Sequence, residues 1–347
     1  ITGTIIFMVV FYTLNVFVHF QFLNTAASPA GIAVIHSLFN IGATILLFPF
    51  ANLLEKMAIL VIPDKESEME EMEEEKINPD LARLDERFLD KPGFAMDECR
   101  SVAINMARKS QKAMNLAIDL LGEYSDKTAD RVEKLENQID QYEDALGTYL
   151  VKLSGRELSI KDSRVLSVLL HCIGDFERIS DHAVNIRDAA VEMHKKDLEF
   201  SEKAKQELCV FSNAIRDILD RAVMAFETGD VELAKEVEPL EQVVDALNKE
   251  EKQRHINRLR TGTCTIELGF ILSDISTNFE RVADHCSNIA VCLLQVDEGG
   301  FDTHEYLDIL KEENSEEFQH EYMELSERYA LPESKHAGKK EKIVKTE

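Results

Sequence analysis

The chain has 347 residues, 45% of them hydrophobic, with 39 Lys and Arg against 65 Asp and Glu, and a formal net charge of −26. The length allows two domains and the apolar content a sizeable core; the charge runs opposite to that of a nucleic-acid binder, and no basic stripe interleaved with aromatics is present. The six cysteines (Cys99, Cys172, Cys209, Cys264, Cys286, Cys292) show no CxxC spacing and several occupy apolar helical positions, which predicts reduced, buried thiols in a reducing compartment.

Residues 1–23 hold no Lys, Arg, Asp or Glu and form an apolar run long enough to cross a bilayer. A second run covers 31–54, and the Pro- and small-residue turn between the two predicts a helical hairpin. His36, Asn40 and Pro49 lie in the second run, where polar groups are costly and often functional. The chain opens on Ile without a basic n-region, so the expectation is a fragment of a longer membrane protein rather than a signal peptide. No Lys or Arg precedes Lys56, which places the large polar part in the cytoplasm of a multi-pass protein of the cell membrane. Domain 1–62 is thus read as membrane-spanning. Residues 63–90, dense in Glu from Glu66 to Glu75, are read as a solvated acidic linker.

From about Lys91 apolar residues recur at three- and four-residue spacing, which predicts amphipathic helices throughout 91–300. Breaks near Ser125, Gly155, Asp197, Gly229, Gly262 and Gly299 divide the region into six helices in two sets of three, about 91–196 and 197–298. Pro92 and Ser125 are start signals, with Asp126 in the first turn. No stretch shows the alternation of a half-buried strand. In 301–347 a short acidic helix around 315–329 precedes a Lys-rich disordered tail.

One acidic motif is written twice: Phe176-Glu-Arg-Ile-Ser-Asp-His-Ala-Val-Asn185 and Phe279-Glu-Arg-Val-Ala-Asp-His-Cys-Ser-Asn288. Glu177 and Asp181, like Glu280 and Asp284, stand at i and i+4 and project two carboxylates from one helix face. A second element repeats with it, Glu136 and Asp140 matching Glu241 and Asp245. If the second and third helices of a half pack antiparallel, each half gathers four carboxylates. Four such groups do not all stay ionised without a counter-charge. A metal cluster would supply it, and oxygen-only ligands select Mg2+, Ca2+, Mn2+ or ferric iron over Cu(I) or thiolate-bound zinc. The alternative is that the acids solvate exposed faces and pair with Arg178, Arg281 or nearby lysines. His182 and His285 lie about 100° round the helix from the repeated Asp, placing them as neighbours' ligands, carboxylate partners or structural histidines; Asn185 and Asn288 lie on the motif face as outer hydrogen bonders.

The doubled Glu-Arg-Ile/Val-x-Asp-His-x-x-Asn-Ile pattern with its upstream Glu-x-x-x-Asp partners resembles the PhoU family, over roughly Pro92 to Val296. That resemblance implies two three-helix bundles, a multinuclear metal cluster (iron, manganese, magnesium or zinc) on the ExxxD motifs, and a part in tuning phosphate uptake. The run from Ala33 to Phe50 and the Leu84-Asp-Glu-Arg87 segment resemble the end of the membrane domain of bacterial sodium/phosphate cotransporters. The duplicated Gln-Ser-Ser repeats of that family's transport site are absent, so the resemblance places that site upstream of Ile1. The expectation is therefore an all-α chain: two transmembrane helices followed by a PhoU-like pair of bundles. Its partners would be the membrane, an upstream transporter core, inorganic phosphate and Na+ as transported ions, and further copies in a homo-oligomer, with no nucleic acid and no catalytic step. The rivals are a membrane-anchored helical signalling protein, for which no phosphoacceptor-His signature or Gly-rich nucleotide loop is found, and a carboxylate-bridged di-iron oxidase, which needs Glu-x-x-His on two helices. That spacing falls at Glu317 to His320, in the short acidic helix outside both halves.

Overall fold

The computed structural model describes residues 12, 13, 15–17, 19, 78–298 and 316–332. Asn78–Glu347 forms one compact unit and Ile1–Ile77 another. The two apolar runs read as membrane spans lie almost wholly outside the described residues. Among the described residues no helix is long and apolar enough to cross a membrane.

Eight α-helices make up the described part of the second unit: α1 Pro92–Gly122, α2 Asp126–Ser154, α3 Ile160–Lys195, α4 Glu202–Thr228, α5 Val231–Lys235, α6 Val237–Arg260, α7 Ile266–Glu298 and α8 Glu316–Arg328. Their ends follow the sequence signals. Pro92 opens α1, where its missing N–H costs nothing. Ser159 and Ser201 cap α3 and α4 by accepting from the amides of Asp162 and Ala204. Gly229, at φ 71°, closes α4 in the left-handed conformation that a residue with a Cβ resists. Asp230 then caps the one-turn α5, an element the periodicity does not announce.

Helices α1, α2 and α3 pack on one another, as do α4, α6 and α7, giving the two expected three-helix halves; α8 lies along α6. The halves join through α3 on α7 and α1 on α4. The motif phenylalanines Phe176 and Phe279 are fully buried and meet Phe226 and Phe211 of α4 edge-on, with ring centres 4.9 and 5.2 Å apart, the first pair across the junction and the second within the second half.

Residues 78–90, assigned to the acidic linker, are instead docked on the first half. Their two 3-10 turns, Leu81–Arg83 and Glu86–Asp90, bury Leu89. The Tyr142 hydroxyl donates to Asp80 Oδ2 (2.6 Å) and the Tyr149 hydroxyl to the Asp85 carbonyl (2.9 Å). The buried hydroxyls need those partners, which ties the segment down. The thiols are free, and Cys99, Cys172 and Cys286 are buried as expected; Cys209 is exposed.

Candidate metal centre and the seam between the halves

In the first half, α2 and α3 bring Glu136, Asp140, Glu177 and Asp181 into one field. Burial raises the Glu136 pKa, and repulsion from Asp181, Asp140 and Glu133 raises it further. Glu177 is raised by burial and by Asp181, against the pull of Arg178, with Glu143 and Asp140 adding to the rise. Early α2 thus faces late motif positions of α3, the antiparallel arrangement expected. The compensation is thin. Arg178, itself 61% exposed, lies 3.5 Å from Glu177 and 3.2 Å from Asp181. Neither Glu136 nor Asp140 makes an ion pair among the described residues.

The second half repeats the acids and neutralises them from within. Lys249 Nζ donates to Asp245 Oδ2 (2.9 Å), Lys252 lies 3.7 Å from Glu280, Asn248 Nδ2 donates to Glu280 Oε2 (2.5 Å), and Arg281 lies 3.5 Å from Asp284. Burial raises the Asp284 pKa against Arg281, with Glu280 and Asp245 adding to it. In the repeat frame Asn248, Lys249 and Lys252 replace Glu143, Asp144 and Gly147 of the first half. The acids of this half thus have basic and amide partners close by, with Glu241 in the same field around Lys249. Among the described residues no three His, Cys, Asp or Glu side chains converge closely enough to hold a metal ion. The donor chemistry of the first half nonetheless fits a hard cation, because its acids repel one another and want a counter-charge.

His182, Asn185, His285 and Asn288 point elsewhere. His182 Nδ1 donates to Asn278 Oδ1 (2.8 Å), which also accepts from Asn185 Nδ2 (3.0 Å). His285 Nδ1 donates to Asp175 Oδ1 (2.9 Å), which also accepts from Asn288 Nδ2 (3.3 Å). The two imidazoles face each other with ring centres 5.6 Å apart. Earlier residues of α3 meet later residues of α7 and the converse, so the two motif helices run antiparallel about a pseudo-two-fold axis. These four side chains stitch the halves together, with Asp175 on one side where Asn278 stands on the other. Burial, then the facing His285, lower the His182 pKa against the Asn278 hydrogen bond.

A buried charge network in the second half escaped the sequence reading. Glu207 of α4 accepts from Arg254 (2.8 Å) and from Arg258, while Glu251, 2% exposed, accepts from Ser276 (2.8 Å). His255 beside it is buried with neither ring nitrogen hydrogen-bonded, and a Cβ at Gly269 would lie 2.5 Å from its Nε2. The repeat frame offers the one available signal: Leu146, Tyr149 and Leu153 occupy the places of Glu251, Arg254 and Arg258.

Two three-helix halves carrying paired ExxxD motifs and joined by their motif helices define a duplicated all-helical domain. Residues 103–190 and 209–293 match the PhoU domain. The chain is 25% identical over 189 residues to the phosphate-specific transport system accessory protein PhoU homolog 1 of Thermotoga maritima, covering 54% of this chain and 81% of that one. It is 23% identical over 219 residues to the PhoU homolog of Pseudomonas aeruginosa, covering 63% and 90%. The crystal structure of PhoU from Pseudomonas aeruginosa shares the fold with a TM-score of 0.56 at 22% identity over 59% of this chain and 97% of that one. PhoU from Streptococcus pneumoniae gives 0.54 at 18% over 61% and 99%. The chain belongs, through this domain, to the PhoU domain family.

Proposed function

We propose that this chain is the C-terminal part of a sodium-dependent phosphate cotransporter of the cell membrane, in which the PhoU-like domain is a cytoplasmic regulator with no catalytic step. The reading is supported by the family and by relatives named as accessory proteins of phosphate-specific transport. The charge supports an indirect role, since a chain of net charge −26 repels phosphate and suits a cation. Glu136, Asp140, Glu177 and Asp181 would hold the metal, Mg2+, Mn2+, Ca2+ or ferric iron by donor type. Bound there, it would supply positive charge that draws α2 and α3 together.

The observation that carries the metal assignment is the repulsion of Glu136 and Glu177 by their acidic neighbours, offset only in part by Arg178 beside Glu177 and Asp181 and by Arg187 acting on Glu136. Elemental analysis of the purified chain tests it: Asp181→Ala should lower bound metal by more than Asp284→Ala, and equal metal in wild type and both variants rejects it. For the regulatory role, Na+-coupled uptake in vesicles is compared with and without the residues after Asp64. Uptake should persist with an altered response to phosphate. An identical rate and response in both would reject regulation, and loss of uptake in a correctly inserted truncation would assign the domain a direct transport role.

A further inference from the structure

Away from the acids, the end of the bundle where α3 begins and α4 finishes holds a cleft of about 560 Å3. Its floor is aliphatic and aromatic: Val165, Val168 and Leu169 of α3, Phe226 of α4 and Leu293 of α7. Its charged lining is Arg100, Lys161 and Arg164, with no carboxylate, although acids outnumber Lys and Arg 65 to 39 in the chain. None of the three cations makes an ion pair among the described residues; Arg100 donates to the Glu227 carbonyl at 3.3 Å. Lys161 and Arg164 also lie in the first turns of a 36-residue helix, the end at which the helix dipole is positive and basic side chains are unfavourable. Beside them Ile160 is 79% exposed.

We propose that this cleft is a docking site for an acidic amphipathic helix of a partner protein. Such a helix would lay its apolar stripe on Val165, Val168 and Phe226 and set carboxylates against Lys161 and Arg164 of α3 and Arg100 of α1. Cations from two different helices around an apolar floor match a ligand that carries acids beside an apolar stripe, the helix-in-groove mode. Covering Ile160 as well favours an extended ligand over a single small anion. In a chain this acidic, a cation-lined cleft is also selective, since a basic or neutral helix gains nothing from the rim. The site is independent of the metal reading, sharing no residue with it.

The test is fluorescence anisotropy on the full chain with a labelled helical probe peptide carrying Leu at i, i+3, i+4 and i+7 flanked by Glu. Saturable binding is expected for the probe and not for a scrambled peptide of the same composition. Lys161→Glu with Arg164→Glu should weaken it about 10-fold by exchanging attraction for repulsion, and Val165→Asp should weaken it through the floor. Lys195→Glu, at the far end of α3, should leave it unchanged. Far-UV circular dichroism melts of the exposed Lys161, Arg164 and Lys195 variants should match wild type, separating lost binding from lost fold; Val165 is half-buried against the core, so its variant is compared only at temperatures where its melt shows it folded. Absence of saturable binding, or equal binding by the scrambled peptide, overturns the proposal. Displacement of the probe by inorganic phosphate would reassign the cleft to a small anion, and preferential binding of phosphatidylglycerol vesicles would reassign it to a lipid surface; either outcome overturns the peptide assignment.

Discussion

The two halves share a frame and differ in what they do with charge. In the first, the motif acids are left against one another with an exposed Arg178 beside them, and the positions of Leu146, Tyr149 and Leu153 are buried and apolar or aromatic. In the second, Lys249, Lys252, Arg281 and Asn248 answer the same acids, and Glu251, Arg254 and Arg258 turn the corresponding core into an ion network. A repeated motif therefore does not establish a repeated site: what surrounds it decides whether a carboxylate seeks a foreign cation.

The largest effect should come from the buried network. Glu207→Ala leaves Arg254 and Arg258, 16% and 15% exposed, without their shared carboxylate, and should cost about 3 kcal/mol in urea unfolding. Leu146→Glu, which copies the second half's acid without its arginines, should cost a similar amount, about 3 kcal/mol. A near-neutral result for either would show that the two cores are interchangeable. Gly269→Ala comes next: the new methyl must displace His255, at about 1–3 kcal/mol, and His255→Ala in the same background should recover most of it.

Metal content sharpens the comparison further. Asn248→Glu with Lys249→Asp rebuilds the first half's surroundings in the second and should raise bound metal, read by elemental analysis; no gain would mean that the lysines are not what separates the halves. The smallest effect is in pH. Glu136 and Glu177 have folded pKa values above their ordinary 4.5, so the folded metal-free chain holds protons that the unfolded chain has lost. Metal-free stability should therefore rise as pH falls from neutral toward 4.5, and Glu136→Gln should flatten that slope in thermal melts.

The helices were legible because their punctuation is local: Pro92, Ser125, Gly229 and Gly262 stand at or beside the observed ends. The motif acids were legible as a set, because i and i+4 spacing on two adjacent helices leaves few arrangements. Which of the roles open to His182 and His285 they take was not legible, because their partners, Asn278 and Asp175, are about a hundred residues away on the opposite motif helix, and only the α3–α7 packing brings them close. The docking of residues 78–90 was missed for a related reason. The Glu-rich run before them suggests solvation, whereas the anchors are the Tyr142 and Tyr149 hydroxyls on α2.

The seam has one more consequence. In a homodimer built on a two-fold axis every substitution lands twice, and a change that suits one face must be borne by its twin. Here both sides of the axis belong to one chain, so a substitution lands once. Asp175 can hold His285 while its counterpart Asn278 holds His182, and Lys249 can appear without a lysine in the place of Asp144. The tether keeps the geometry of a symmetric pair and frees each side to specialise, which gives the domain two distinguishable faces within a frame that does not itself tell them apart.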